Sequence, residues 1–371
     1  MNFNINMPVK IVSSRNCIKN NSSLLTKVGT KALIVTSSTG AKKSGALDDI
    51  TEALKEENIS YCVYDKITEN PRLDHCYEAS VMAIGNNADF IIGIGGGSPL
   101  DAAKAVAVYA ANPDMTQDEI YTKTQRNKAL PIVAIGTTAG TGSEVGRVSV
   151  LTHPETGRKK SIAPDDCYPT LTFADAKYTE SMPFGVTVST ALDALAHALE
   201  GYMSVKCDDI ATLFGEKGIS LIFEGLRYLN ETKALPDSLL REKLYYGSLY
   251  AGITLSYCGT AFPHPLGYVL TENYGVPHGM ACAAFMTDFV DRALIYTPEK
   301  MNRIFEITGT TADEFKKTIS ELTDVGNIVM TEEEVVKHCE RFDTIPANFK
   351  FSPGGFTKED AITLFINKYV K

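Results

Sequence analysis

Only six histidines occur in 371 residues, and two of them bracket one stretch, HPLGYVLTENYGVPHG, residues 264–279. Each lies beside a proline, with a glycine turn between them. His264 stands at a helix start. YGVP breaks that helix, and His278 opens the apolar segment GMACAAFM. Two elements joined by a turn can bring both imidazoles to one point. Another pair stands earlier, in ALDALAHALEGYM (191–203), where Asp193 and His197 are at i and i+4 on one helix face. Leu192, Leu195, Leu199 and Met203 form an apolar stripe and alanines fill most of the remainder, so this helix is expected to be buried, with Ser189 or Thr190 as its cap. A buried carboxylate and imidazole need partners. Taken alone, Asp193 and His197 favour a hydrogen-bonded core pair over a shared ion. Joined by His264 and His278 they offer three nitrogens and one oxygen, a set that suits Zn²⁺ or Fe²⁺ with a substrate oxygen as an extra ligand. His75, His153 and His338 lie in polar segments and read as surface residues.

A second chemistry is written in glycine. IIGIGGGSPLDAAKA (91–105) reads as strand, turn and helix. Gly95, Gly96 and Gly97 allow close backbone approach to a ligand. Ser98 suits the N-cap, Pro99 the first helical position and Asp101 the capping box. A helix start of this kind attracts anions, although the GxGxxG fingerprint is absent and a plain tight turn would look similar. AIGTTAGTGSEV (134–145) is another loop after a strand, carrying the hydroxyls of Thr137, Thr138, Thr141 and Ser143. Two such loops at the carboxyl ends of parallel strands suggest a ligand crevice. A third loop, TSSTGAKKSG (36–45), contains no acid but offers Ser37, Ser38, Thr39, Lys42 and Lys43. Acids in that place hold a ribose 2′-hydroxyl, whereas basic and small polar groups accept a 2′-phosphate. The loop therefore tilts toward NADP(H) over NAD(H), with a solvated lysine pair as the plain alternative.

The elements that must position these groups change character along the chain. KALIVT (31–36), SYCVYD (60–65), DFIIGIGG (89–96) and LPIVAIGT (130–137) read as strands, separated by helical patterns at 46–59, 75–87 and 101–111. That alternation implies βαβ units and a parallel sheet. The start, MNFNINMPVKIVSS, alternates like a further strand whose edge could pair with a second subunit. From ESMPFG onward nearly everything reads helical. The expected fold is a Rossmann-like α/β domain over residues 1–182 and an all-α domain over residues 183–371, with cofactor and metal in the cleft between them. A net charge of −9 argues against nucleic acid or an anionic membrane as the main partner. No run approaches the roughly 20 apolar residues of a membrane span. Eight scattered cysteines without a CxxC pair, and no signal-peptide run, point to reduced thiols in a cytoplasmic protein.

In order, GGGSPLDAAKA, TTAGTGSEV, ALDALAHALEGY and HPLG…VPHG resemble the iron-containing (group III) alcohol dehydrogenase family. The resemblance runs from about residue 5 to the end of the chain. It implies an N-terminal domain for NAD(P)(H) and a helical domain holding one divalent ion through Asp193, His197, His264 and His278. It further implies that the GGGS loop meets the pyrophosphate, that the TTAGTGS loop holds the rest of the cofactor, and that Lys160 lies near the nicotinamide ribose. The AKKSG loop is similar to that of NADP-preferring members. Many members carry another histidine four residues after the third ligand. Here Tyr268 stands there, so proton relay would pass through Tyr268, ribose hydroxyls or water. The implied reaction is hydride transfer between the nicotinamide and a small aliphatic alcohol or aldehyde, in a homodimer. Phe262, Tyr268 and the segment Phe351–Phe356 are the expected apolar lining for that substrate. A polyol dehydrogenase or a dehydroquinate-synthase-like enzyme of the same fold, and a non-catalytic NADP-binding sensor, are the alternatives. A metal hydrolase would need a general base such as that of HExxH, and that motif is absent.

Overall fold

The computed structural model describes residue 3, residues 6–122 and residues 125–371. The chain forms two compact units, one of Ile5–Pro183 with Asp237–Tyr245, the other of Phe184–Pro236 with Tyr246–Lys371.

The first unit is built on β1 (Lys10–Ser13), β2 (Lys31–Thr36), β3 (Ser60–Tyr64), β4 (Phe90–Gly95), β5 (Ile132–Gly136) and β8 (Leu171–Ala174). They form one sheet in the order β1-β8-β5-β4-β2-β3, and every pairing is parallel. A short antiparallel ribbon, β6 (Ser149–Thr152) with β7 (Lys159–Ile162), lies outside that sheet. Strand alternation sends side chains to two separate cores. Leu33, Val35 and Ile91 join the helices Leu73–Gly85 and Gly97–Ala111 on one face. Ala32, Ile34, Phe90 and Ile92 join the helix Ala46–Glu56 on the other. All six residues of β4 are buried, as a central strand covered on both faces requires.

Several local expectations change. The four-residue strand β8 was not anticipated, nor was the β6–β7 ribbon. The TSSTGAKKSG segment contains a helical turn, Gly40–Lys43. The helix after β4 begins at Gly97, not after Ser98, and Gly96 takes the N-cap position without a side-chain bond. Ser98 Oγ instead accepts from the Asn70 N–H at 3.2 Å, and Asp101 lies in a buried network described below. Similarly, Ser189 and Thr190 cap nothing, because their helix starts earlier, at Phe184. Thr190 Oγ1 donates back to the Val186 carbonyl at 2.9 Å, the usual use of a hydroxyl inside a helix.

The second unit is helical. Its central helix, Phe184–Met203, is buried without a break from Ala191 to Met203. It packs against Asp209–Thr232 and against the short helix His278–Ala283. Pro263 opens the helix Pro263–Tyr274, and Gly275, at φ 67°, closes it in the left-handed conformation that glycine adopts without strain. No described helix is long and apolar enough to cross a membrane.

All eight cysteines are free thiols. Burial raises most of them, but a hydrogen bond from Cys258 and another from Thr212 outweigh it at half-buried Cys207, whose pKa is pushed down to about 6. Cys207 is therefore expected to alkylate first with iodoacetamide. Its rate should rise through pH 6 and level off near pH 7, since the thiolate is the nucleophile. Peptide mapping of briefly alkylated protein checks this. A rate still climbing at pH 8 would show an ordinary thiol.

Candidate metal centre and cofactor loops

Four of the residues singled out by spacing converge in the helical unit. Asp193 Oδ1 lies 3.9 Å from His197 Nε2, 3.9 Å from His264 Nε2 and 3.7 Å from His278 Nε2. The His197 and His264 rings stack with centroids 4.6 Å apart. Asp193, His197 and His264 are buried, while the His278 side chain keeps 24% exposure and forms the open side. The positions follow from the elements. Helical spacing puts Asp193 and His197 on one face of the central helix. His264 sits in the first turn of its helix, and His278 begins the next one after the Gly275 turn.

Two neighbours were not picked out by sequence reasoning. Glu200, fully buried, accepts from His264 Nδ1 at 2.7 Å and from the Ala261 N–H at 2.6 Å. Burial pushes its carboxyl up against the opposing pull of His264. With Glu200 taking the Nδ1 proton, His264 Nε2 carries the lone pair, and it is buried beside the Cys282 thiol. A carboxylate that orients a ligating imidazole in this way is a common support for a bound ion. The other neighbour is Cys282, four residues after His278. The donor atoms of Asp193, His264, His278 and Cys282 all lie within 4.8 Å of one another. Carboxylate, imidazoles and an oriented buried lone pair fit a divalent ion.

Gly279 holds this arrangement together. A Cβ there would stand 1.8 Å from the Ser189 carbonyl oxygen and 3.0 Å from Asp193 Cβ. Gly279→Ala is therefore expected to push the His278 helix off the central helix. We expect destabilisation by about 1–3 kcal/mol, as for overpacking elsewhere, together with weakened ion binding. Thermal melts and metal analysis check both. Unchanged binding would show that the two helices are not held in contact there.

The loops lie in the sheet unit. The Thr137 N–H donates to the Gly95 carbonyl at 2.9 Å, tying the ends of β4 and β5. Thr138 and Thr141 lean on the glycines: a Cβ at Gly97 would meet Thr141 Cγ2 at 2.6 Å, and one at Gly96 would meet Thr138 Oγ1 at 3.0 Å. The two loops are thus in mutual contact. Beneath them, Lys104 is buried and donates to the Ser143 carbonyl at 2.9 Å, to Ser143 Oγ at 2.6 Å and to the Val148 carbonyl at 2.8 Å. Asp101 accepts from Ser143 Oγ at 2.6 Å and from the Val150 N–H at 2.8 Å, and lies 3.6 Å from Lys104 Nζ. Burial pushes the Asp101 carboxyl up and the Lys104 ammonium down, and their mutual attraction offsets only part of this. Asp101 and Ser143 therefore fasten loop to helix.

In the third loop, Ser37 Oγ accepts from the Gly40 N–H at 3.3 Å, while Ser38, Thr39, Lys42 and Lys43 are exposed. The loop itself lacks an acid, but Asp65, just past β3, reaches Lys42 Nζ at 3.7 Å. Lys160, on β7, lies over the Tyr121 ring at 4.3 Å. Tyr268 stacks on His278 with centroids 5.4 Å apart. Phe262 and Phe356 stack at 4.1 Å and are both buried, so they belong at least in part to the core. His75, His153 and His338 are half-buried, not exposed. His153 meets Asp118 at 3.1 Å, and His338 meets the Tyr274 hydroxyl at 3.2 Å.

Known proteins share this architecture. Residues 8–176 match the family model for iron-containing alcohol dehydrogenase, and residues 187–340 match that for its C-terminal part. A long-chain primary alcohol dehydrogenase of Thermoanaerobacter ethanolicus is 34% identical over 338 residues, which is 90% of this chain and 80% of that protein. The 1,3-propanediol dehydrogenase of Klebsiella pneumoniae is 32% identical, over 80% of this chain and 78% of its own. The crystal structure of an iron-containing alcohol dehydrogenase from Thermotoga maritima superposes with a TM-score of 0.89 at 33% identity, covering 98% of both chains. A parallel six-stranded sheet unit followed by a helical unit with a carboxylate–imidazole cluster defines an oxidoreductase of this architecture. The chain belongs to the iron-containing alcohol dehydrogenase family.

Proposed function

We propose that the protein is a metal-dependent alcohol dehydrogenase and aldehyde reductase, acting with NADP(H) in preference to NAD(H) on small aliphatic substrates. The observation that carries this reading is the convergence of His197, His264 and His278 on Asp193 Oδ1 within 3.9 Å. A divalent ion, Fe²⁺ or Zn²⁺, held by those four residues supplies Lewis acidity toward an alcohol or carbonyl oxygen, and the nicotinamide supplies the hydride chemistry. The chain's own residues do the rest. Glu200 fixes the tautomer and orientation of His264. Residues 183–371 carry the ion and residues 1–182 the cofactor. Gly95, Gly96, Gly97 and Ser98 give the backbone approach for the pyrophosphate, and Thr137, Thr138 and Thr141 hold the remainder. Asp101 and Ser143 act through the loop fold, not by contact. Lys160 serves the ribose. Tyr268, against the one partly exposed ligand, holds and passes the alcohol proton where a histidine would otherwise stand. Lys42 and Lys43 face the 2′-phosphate, and the assembly is a homodimer.

A diol is a second substrate class, favoured by the likeness to the Klebsiella pneumoniae 1,3-propanediol dehydrogenase. The test uses anaerobically purified protein with NADPH and butanal, followed by absorbance with Fe²⁺, with Zn²⁺ and with chelator. Parallel reactions carry 1,3-propanediol with NADP⁺. Metal-dependent turnover abolished by chelator is expected, with NADPH outperforming NADH and Lys42→Ala narrowing that difference. Clear NADPH binding without turnover under any metal would overturn the enzyme reading in favour of a sensor.

A further inference from the structure

We infer that Cys282 is a sulfur donor to the ion bound by Asp193, His264 and His278, and that this thiolate biases the site toward Zn²⁺ over Fe²⁺. The inference rests on the metal site proposed above and adds a residue to it. Cys282 is fully buried on the short helix His278–Ala283. Its place four residues after His278 puts both side chains on one helix face. Cys282 Sγ lies 3.8 Å from His278 Nδ1 and 3.8 Å from His278 Nε2. The thiol is thus within reach of the His278 ring and also interacts with His264, so it stands between the two imidazoles. Meanwhile His264 Nε2 is buried in the same group of donors, and the neighbour it meets there is the Cys282 thiol itself. Those donor atoms all fall within 4.8 Å of one another, Cys282 Sγ among them. Sulfur and nitrogen ligands on a tetrahedral zinc ion, with bonds of about 2.3 and 2.05 Å, lie roughly 3.6 Å apart. The observed 3.8 Å is within a few tenths of that.

Binding breaks the S–H bond and forms an S–metal bond, and the proton passes to bulk water. No oxidant or reductant is required. Thiolate is the softest donor in the group, and soft donors favour zinc over iron. His197, stacked on His264, stands beside this four-donor group.

The test is spectroscopic. Chelator-stripped protein is loaded with one Co²⁺ per chain. Wild type is expected to show visible ligand-field bands and an intense near-ultraviolet sulfur-to-cobalt charge-transfer band. Cys282→Ala, and Cys282→Ser as a second variant of closer volume, should keep one ion and the visible bands while losing the ultraviolet band. In competition titrations the zinc-over-iron preference should fall about ten-fold or more in both. Visible bands without the charge-transfer band in wild type would overturn the inference and leave the proposed function intact. Failure of wild type to bind cobalt at all would overturn both.

Discussion

His278→Ala is expected to lose its ion and with it the activity, while the fold survives. The other three residues proposed to hold the ion are poor choices for such a test. His264 is buried and bonded to Glu200, so its removal would strand a buried carboxylate. That kind of loss costs about 3–5 kcal/mol, enough to confound any activity measurement. Asp193 and His197 are buried in the central helix against its neighbours. His278, at 24% side-chain exposure, is the one of the four whose truncation disturbs the least packing. Loss of one preorganised electrostatic contact to the reacting oxygen lowers turnover by about 10²–10³-fold, and loss of the ion should exceed that. Stability should change by no more than about 1 kcal/mol. Metal analysis, single-turnover hydride transfer and a thermal melt check the three parts. Full activity in this variant would sink the assignment of the site.

The second large effect is structural. Lys104→Met is expected to destabilise the sheet unit by about 3–5 kcal/mol, because it leaves Asp101 buried without its cation. The loss should be seen in amide exchange of β4 and β5, which reports that unit apart from the helical one. Three hydrogen bonds from one ammonium also vanish, and with them the hold on the Ser143 backbone. Asp101→Asn in the same molecule removes the stranded charge, so the double variant should lose less than the sum of the singles. A strictly additive double, or a single-variant loss below about 1 kcal/mol, would show that the pair is not coupled. KM for NADPH should rise in Lys104→Met even where the protein is folded, since the TTAGTGS loop then loses its anchor.

What could be read from sequence was local in character. Asp193 and His197 announce themselves by helical spacing, and the proline–glycine punctuation of 264–279 forecasts two helices and a turn. The long apolar strands β2, β4 and β5 stand out for the same reason: each is a near-continuous apolar run between turn signals. What escaped is set by contacts distant in sequence. Glu200 reads as one more acid on a helix until His264 is placed beside it. Cys282 looked like one of eight scattered thiols, although its spacing from His278 was visible. Asp65 follows β3, whereas the lysine it meets follows β2. LTFA is too short a run to declare itself a strand, yet β8 sits between β1 and β5. The capping expectations at Ser98 and at Ser189 failed because each helix had a sequence able to start it earlier, and both residues lay inside once it did.

The parallel pairing of β1 with β8 carries a consequence for synthesis. Lys10 pairs with Leu171 and Ser13 with Ala174, and Asn16 is tied to Asp175 by its N–H at 2.5 Å. β1 therefore has no sheet partner until Leu171–Ala174 has been made. Contacts this distant in sequence are slow to form, and an unsatisfied strand is sticky while it waits. At roughly 5–20 residues per second, β1 remains an unpaired nascent edge for several seconds or more. That interval leaves β1 open to misassociation on crowded polysomes, and makes it a natural place for a chaperone to act.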